Sequence, residues 1–274
     1  MCCGEAQIQE VEEDAPIKFS PIETGEVELR ITDYVGDGWY ITDKMREDGA
    51  QIPQLQAARA NEARRGIQER FETQALATLA AGHTEADANA VNGFAHRIVP
   101  TSTNNTLELG DLIKMRLAFN KAEIPAKGRI GIVDPVVEAT LNTTFQIVSG
   151  TGDLAANSTW QMITESGMSQ DHSFVISLYG WDIITSNRLP TSAAGVASDG
   201  TTTVTDAAVI NLFMSVADDN TKPLMAAWRR VPSAEGERNV KLRRDEFSIT
   251  ARWGMGVQRV DTLGTIPASA INLA

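Results

Sequence analysis

The chain has 274 residues, 42% of them hydrophobic and 22% charged, a mix that can bury a core without staples and that excludes a disordered polymer. No run approaches the roughly 20 apolar residues that cross a bilayer, and the start, Met1-Cys2-Cys3-Gly4-Glu5, lacks the regions of a secretion signal, so a cytoplasmic origin and no membrane partner are expected. The formal net charge of −12 argues against wrapping nucleic acid, since phosphate binding needs neutralising Lys and Arg.

Residues 1 to about 25 are acidic and carry Pro16 and Pro21 without a sustained period, which reads as an extended arm. From Met1 to Arg30 eight acids face two bases, and from Lys222 to Arg259 nine bases face four acids. An acidic arm and a basic tail in one chain point to copies that bind head to tail; from charge alone, two solvated faces that never meet are an equal alternative. Next, Glu26–Ile31 and Trp39–Thr42 alternate as strands do, on either side of Gly36-Asp37-Gly38. They form a candidate hairpin over 26–48, with Trp39 and Tyr40 as either an anchor for another subunit or the hairpin's own packed face.

After Gly49 the spacing changes to a long helix, with Pro53 in its first turn and a stop at Gly82. Ala63, Ile67, Phe71, Ala75 and Leu79 recur every four residues, which marks the buried face of a spine. A polar link at 101–105 precedes a second helix with an expected buried stripe of Leu109, Leu112, Ile113 and Leu117. Ile130–Val133 reads as a buried strand, and Asp134-Pro135 as the cap and first turn of a helix over 136–141. Phe174–Leu178 and Trp181–Ile184 are further strands broken at Gly180, and 192–205 is a loop with a turn at Asp199-Gly200. Residues 207–217 and 224–229 are apolar again, and the last structured run is Phe247–Val257.

Chemistry-bearing patterns are sparse. Cys2 and Cys3 are adjacent, so they supply neither a disulfide framework nor a tetrahedral metal site. His83, His96 and His172 lack metal-ligand spacing, and no nucleophile elbow accompanies Asp171-His172-Ser173. Ser149-Gly150-Thr151-Gly152-Asp153 lacks the Lys-Ser/Thr ending of a phosphate loop. Sequons at Asn104, Asn142 and Asn157 matter only in a secretory pathway. No catalytic residue, cofactor or metal is expected.

The order of elements resembles the major capsid fold of tailed bacteriophages, the Hong Kong 97 fold. Three stretches carry the likeness: Ile124–Pro135, with its helix end, buried strand and proline-started helix; Tyr179–Pro190, a glycine followed by a strand; and Phe247–Thr265, with Arg252-Trp253-Gly254-Met255-Gly256-Val257. The resemblance implies an α+β protein with an N-terminal arm (1–25), an extended β-hairpin loop (26–48), a peripheral domain with the spine helix (49–103), an axial α/β domain (104–225), and return strands of the peripheral domain with a tail (226–274). The arm is short for that family, and no scaffolding-like region precedes it.

The resemblance further implies a structural protein that self-assembles into the icosahedral head shell around phage DNA, as hexamers and pentamers. A separate scaffolding protein, a portal and a decoration protein are its implied partners, with DNA contacted weakly and assembly in the host cytoplasm. The expected subunit-interface residues are Trp39, Tyr40, Arg229, Arg230, Arg243 and Arg244. Some relatives join subunits by a lysine–asparagine bond from the hairpin loop; here the nearest lysine is Lys44, at the expected hairpin's base, and a non-covalent shell is expected. An encapsulin-like compartment shares the fold and is the first alternative, a soluble α/β enzyme the second.

Overall fold

The computed structural model describes residues 2–3, 24–25, 28–49, 51–81, 90–100, 102, 105–141, 176–192, 195–196, 203–204, 208–219 and 221–269. Strands β1 (Cys2–Cys3) and β2 (Thr24–Gly25) pair antiparallel, with Cys2 opposite Gly25, so the two ends of the expected arm are joined to each other.

The hairpin expected over 26–48 is corrected. Asp33–Thr42 is one ten-residue strand, β3, that runs straight through Gly36-Asp37-Gly38. Turn propensity loses here to the period of two, which carries Val35, Asp37, Trp39 and Ile41 on one face and Tyr34, Gly36, Gly38 and Tyr40 on the other. Gly36 serves close packing rather than a turn, since a Cβ there would lie 3.0 Å from the Ile249 carbonyl oxygen. Thr42 then accepts from the Met45 backbone N–H at 3.3 Å and caps the short helix α1 (Asp43–Asp48). Lys44 therefore sits exposed on a helix, not at a hairpin base.

The spine is helix α2 (Ile52–Ala81), 30 residues or about 45 Å long. Its buried residues are Ala63, Ile67, Leu76, Leu79 and Ala80. Strands β4 (Ala90–Val91) and β5 (Phe94–Ala95) close around Asn92-Gly93, both at positive φ, the turn an Asn-Gly pair favours. Helix α3 (Leu109–Lys121) buries Leu112, Met115, Ala118 and Phe119. The expected stripe is thus corrected: Ile113 and Leu117 are 47% and 46% exposed. The reason is rotation, because the i, i+3, i+7 set from Leu112 through Met115 to Phe119 carries the larger side chains inward.

Then follow β6 (Arg129–Val133), a helical run at 135–141, β7 (Ile176–Leu178) and β8 (Trp181–Thr185). Asp134 accepts from the Val136 backbone N–H at 2.9 Å, and Tyr179-Gly180 turns the chain with positive φ at both residues. The small strands β9 (Thr191–Ser192), β10 (Gly195–Val196) and β11 (Thr203–Val204) precede β12 (Ala208–Ser215), β13 (Leu224–Asn239), β14 (Arg244–Val257) and β15 (Leu263–Ser269). His83, His172, the 149–153 loop, the Asp199-Gly200 turn and the sequon asparagines lie outside the described residues.

Two sheets organise these elements. The first sheet has the order β15-β12-β6-β8-β7, with β9 on β12; β6 and β8 run parallel and the other pairs antiparallel. The tail strand β15 thus returns to this sheet. Helix α3 packs on that sheet, where Leu112, Met115 and Phe119 meet Trp181, Phe213 and Ile266. Gly264 permits this approach, since a Cβ would fall 2.5 Å from Met115 Sδ. The second sheet, β13-β14-β3, is built on a long hairpin whose strands meet at 240–243.

Helix α2 joins the two sheets. Its C-terminal Leu76, Leu79 and Ala80 pack with Leu189, Val209, Leu212, Met214 and Leu263, while its middle residues Ala63 and Ile67 pack on Ile249, Ala251 and Trp253. Phe71 stacks on Trp228 at 4.6 Å and meets Trp253 edge-on at 5.5 Å. Trp253 Nε1 donates to Gln74 Oε1 at 3.0 Å, and Gln74 Nε2 donates to Asp33 Oδ2 at 2.6 Å. Arg188 adds an ion pair to Glu69 at 3.0 Å.

Candidate functional site

The candidate site is the face of the β13-β14-β3 sheet turned away from α2, together with the hairpin's tip. Strand alternation places Tyr34 and Tyr40 of β3 there, with Arg244, Glu246, Ser248, Thr250 and Arg252 of β14 beside them. The two tyrosines are 63% and 58% exposed. Charge is graded along this face.

At the tip end, Glu237 stands opposite Glu246, which stands opposite Tyr40. Arg244 donates to Glu246 at 2.6 Å and lies 4.5 Å over the Tyr40 ring. The hydrogen bond from Arg244, with one from Asn239, holds the Glu246 carboxyl below its ordinary pKa. Gly38 and Gly236 leave a depression of about 590 Å³ here, rimmed by Glu235, Glu237 and Glu246. Just behind it, Arg238 donates to both oxygens of Asp43 at 3.0 Å and to Asp245 at 3.0 Å, and Arg46 pairs with Asp245. The Arg238 contacts lower the Asp43 pKa and tie α1 to the hairpin. Val240 and Leu242 project from the tip, 76% and 57% exposed.

At the other end the sheet is basic. Register shifts flank Arg230: Trp228 faces Trp253, Arg230 faces Arg252, and Ser233 faces Thr250. Arg229 is the extra residue of a bulge, a device that re-aims side chains and lets two consecutive residues serve one face. Pro232, which cannot donate to a ladder, falls in the second irregular stretch, where it is tolerated. The result is a cavity of about 450 Å³ lined by Thr32, Tyr34, Arg229, Arg230 and Arg252. Arg230 is paired with Glu235, and Arg229 makes no ion pair among the described residues.

Of the six residues expected from the sequence, the structure brings Arg229 and Arg230 together and adds Arg252 and Tyr34 to them. Arg243 and Arg244 lie at the opposite end of the hairpin. Trp39 and Tyr40 point to opposite faces, as neighbours in a strand must. Trp39 faces α2, packs in the cluster of Ala63, Ile67 and Ile249, and stacks on Phe247 at 6.0 Å. In the sequence Arg252 is one of the nine bases between Lys222 and Arg259, but its place opposite Arg230 depends on the bulged register.

Among the described residues no group of three His, Cys, Asp or Glu is arranged to hold a metal ion, and no helix is long and apolar enough to cross a membrane. The one described histidine, His96, is fully buried and stacks on Phe119 at 5.1 Å. Burial pushes its pKa down, opposed in part by the backbone of Ala118 and Asp261.

The sequence matches the model of a family described as phage capsid protein over residues 24–268. No curated protein sequence matches the chain. Among solved structures, it is similar to the capsid of the cyanophage P-SCSP1u, with a TM-score of 0.64 and 16% identity over 98% of this chain and 82% of that one. The mature capsid of bacteriophage PhiM1 gives 0.60 and 14%, over 99% and 81%. The holo-SrpI encapsulin complex of Synechococcus elongatus PCC 7942 gives 0.56 and 11%, over 88% and 76%. At these identities the likeness to solved structures is one of fold.

Proposed function

Because the chain belongs to the phage capsid protein family, and is thus a structural protein of the virion shell, we propose that its copies close as hexamers and pentamers into an icosahedral head around phage DNA. The observation that carries this reading is the coincidence of a family match over 24–268 with a capsid-like fold over 98% of the chain. Assembly takes place in the host cytoplasm. A scaffolding protein, a portal and a decoration protein complete the head, and no catalytic chemistry is involved. DNA is held by confinement rather than by tight contact, in keeping with the net charge of −12.

The contacts between copies are heterologous, because a surface that binds a different surface on its neighbour generates rings and shells. The graded sheet face supports this: Tyr40, Arg243 and Arg244 meet a neighbour at the tip, and Arg229 and Arg230 serve the basic end. The acidic composition of residues 1–25 supports contact with basic surface contributed partly by a neighbouring copy, around Arg229, Arg230, Arg243 or Arg244. Negative-stain microscopy of the expressed full-length chain, alone and with co-expressed phage proteins, tests the reading. Closed shells or capsomer rings are expected, and a lasting monomer under both conditions overturns it. The encapsulin likeness supports a second reading, a cargo compartment; a co-purifying enzyme inside shells formed in the absence of phage proteins would favour it.

A further inference from the structure

We propose that the cavity of Thr32, Tyr34, Arg229, Arg230 and Arg252 is a binding site for a phosphate group, a role that goes beyond the shell reading and does not depend on how copies pack.

The lining consists of donors. Register sets Arg230 opposite Arg252 and Arg252 opposite Tyr34, so two guanidiniums and a phenol form one row across the three strands. Arg229, brought in by the bulge, and Thr32, two residues before Tyr34, complete the rim. An arginine carries five N–H donors and no acceptor, and like charges directly opposite in a sheet repel. Glu235 offsets Arg230. Arg229 and Arg252 have no carboxylate partner among the described residues, and Arg252 reaches the Ile31 carbonyl at a long 3.5 Å. Asp33, the neighbour of Thr32, is committed elsewhere: it accepts from Thr32 Oγ1 at 3.3 Å and from Gln74 Nε2 of α2 at 2.6 Å.

The charge and the geometry of the donors select the anion. Three guanidiniums against the single carboxylate of Glu235 leave an excess of two positive charges. A phosphate group carries about −1.5 to −2 near neutral pH and three strong acceptor oxygens, and a guanidinium fork meets two of them at once. A lone carboxylate supplies half that charge and two oxygens in one plane, which cannot serve arginines arriving from two strands. The cavity's 450 Å³ falls in the range of about 300–1,000 Å³ of small-molecule sites. The group can arrive free, as phosphate or pyrophosphate, or on a nucleic-acid backbone; the net charge of −12 favours the small free anion, because a polyanion is repelled by the acidic molecule as a whole.

The test uses the full-length unassembled subunit in a chloride buffer of fixed low ionic strength. Pyrophosphate and a short DNA duplex are titrated separately, with calorimetry and the thermal midpoint as readouts. Pyrophosphate is expected to bind saturably and to raise the midpoint. Arg229→Gln and Arg252→Gln are each expected to weaken it about tenfold or more, the loss of a hydrogen bond to a charged group. Arg243→Gln, at the far end of the hairpin, should leave it unchanged. Without ligand, Arg252→Gln should melt no lower than the wild type, since it removes the repulsion with Arg230; Arg252→Lys, which keeps the charge and loses the fork, should bind more weakly than the wild type and serves where the glutamine variant fails to fold. Binding of the duplex alone, with the same dependence on Arg229 and Arg252, would keep the site and assign its phosphate to nucleic acid. Binding of neither ligand would overturn the proposal. So would binding that the cavity variants leave intact, or that Arg243→Gln weakens as much as Arg252→Gln, since the attraction would then belong to basic surface in general.

Discussion

Single residues decide how closely the elements approach. At Gly254 a Cβ would meet the Arg30 carbonyl oxygen at 2.3 Å and the Ile31 Cα at 2.8 Å, all backbone. Gly254→Ala is therefore expected to destabilise the unassembled subunit by about 1–3 kcal/mol, the usual range for overpacking. Gly66, in the middle of α2, has nothing within 4 Å of its virtual Cβ. Gly66→Ala should stabilise by about 0.5–1 kcal/mol, so chemical denaturation should move the two midpoints in opposite directions. His96 gives stability a pH dependence. Its folded pKa lies below the unfolded value of 6.5, so the unfolded chain takes up the proton first and stability falls as pH drops below about 6.5, by at most about 1.4 kcal/mol per pH unit. Above that pH the residue has no effect. Unfolding curves at pH 7.5 and 5.5 should differ, and His96→Gln should reduce the difference. The depressed carboxyls of Asp43 and Glu246 act in the same direction, but only in the window below their ordinary values of 3.8 and 4.5.

At the scale of elements, what was legible in the sequence were the runs whose period is long or whose caps are chemical. The spine, with Pro53 in its first turn and its four-residue repeat, emerges as Ile52–Ala81, and the Asp134-Pro135 start is seen in the 2.9 Å cap to Val136. What was not legible depends on partners remote in sequence. Gly36-Asp37-Gly38 has the composition of a turn, yet β14 offers it a strand to pair with more than two hundred residues later, and ladder pairing overrides local propensity. The real hairpin turn, Val240-Lys241-Leu242-Arg243, has no glycine or proline to announce it; Arg243 takes the positive φ of 48° instead. The basic cavity was half legible, through the Arg229-Arg230 pair, while Arg252 needed the bulge. One element junction is directly testable. The chain from Trp253 through Gln74 to Asp33 fastens β14, α2 and β3. Gln74→Leu removes the acceptor of the Trp253 indole, and a polar group left without its partner costs about 1–3 kcal/mol. Thermal unfolding of the subunit should show that loss, whereas Gln68→Leu on the solvent side of the same helix should change little.

For the whole molecule, the replacement of the hairpin expected over 26–48 by a single strand and a short helix bears on how a shell is held. A lysine–asparagine bond needs a lysine that reaches a neighbouring copy. Lys44 is exposed on α1, and Lys241 is exposed at the tip of the β13–β14 hairpin between Val240 and Leu242. Neither is enclosed within the subunit. The tip is instead suited to non-covalent contact, since Val240 and Leu242 offer apolar area that association removes from water at about 25 cal/mol per Å². The shell is therefore expected to be held by apolar and ionic contacts alone. Boiling mature particles in detergent should release a single band near the chain mass of 29.6 kDa. A ladder of dimers and larger rings that survives reducing agent would overturn this, and comparing Lys44→Arg with Lys241→Arg would then identify the lysine, because only the variant that lacks the bonding amine loses the ladder.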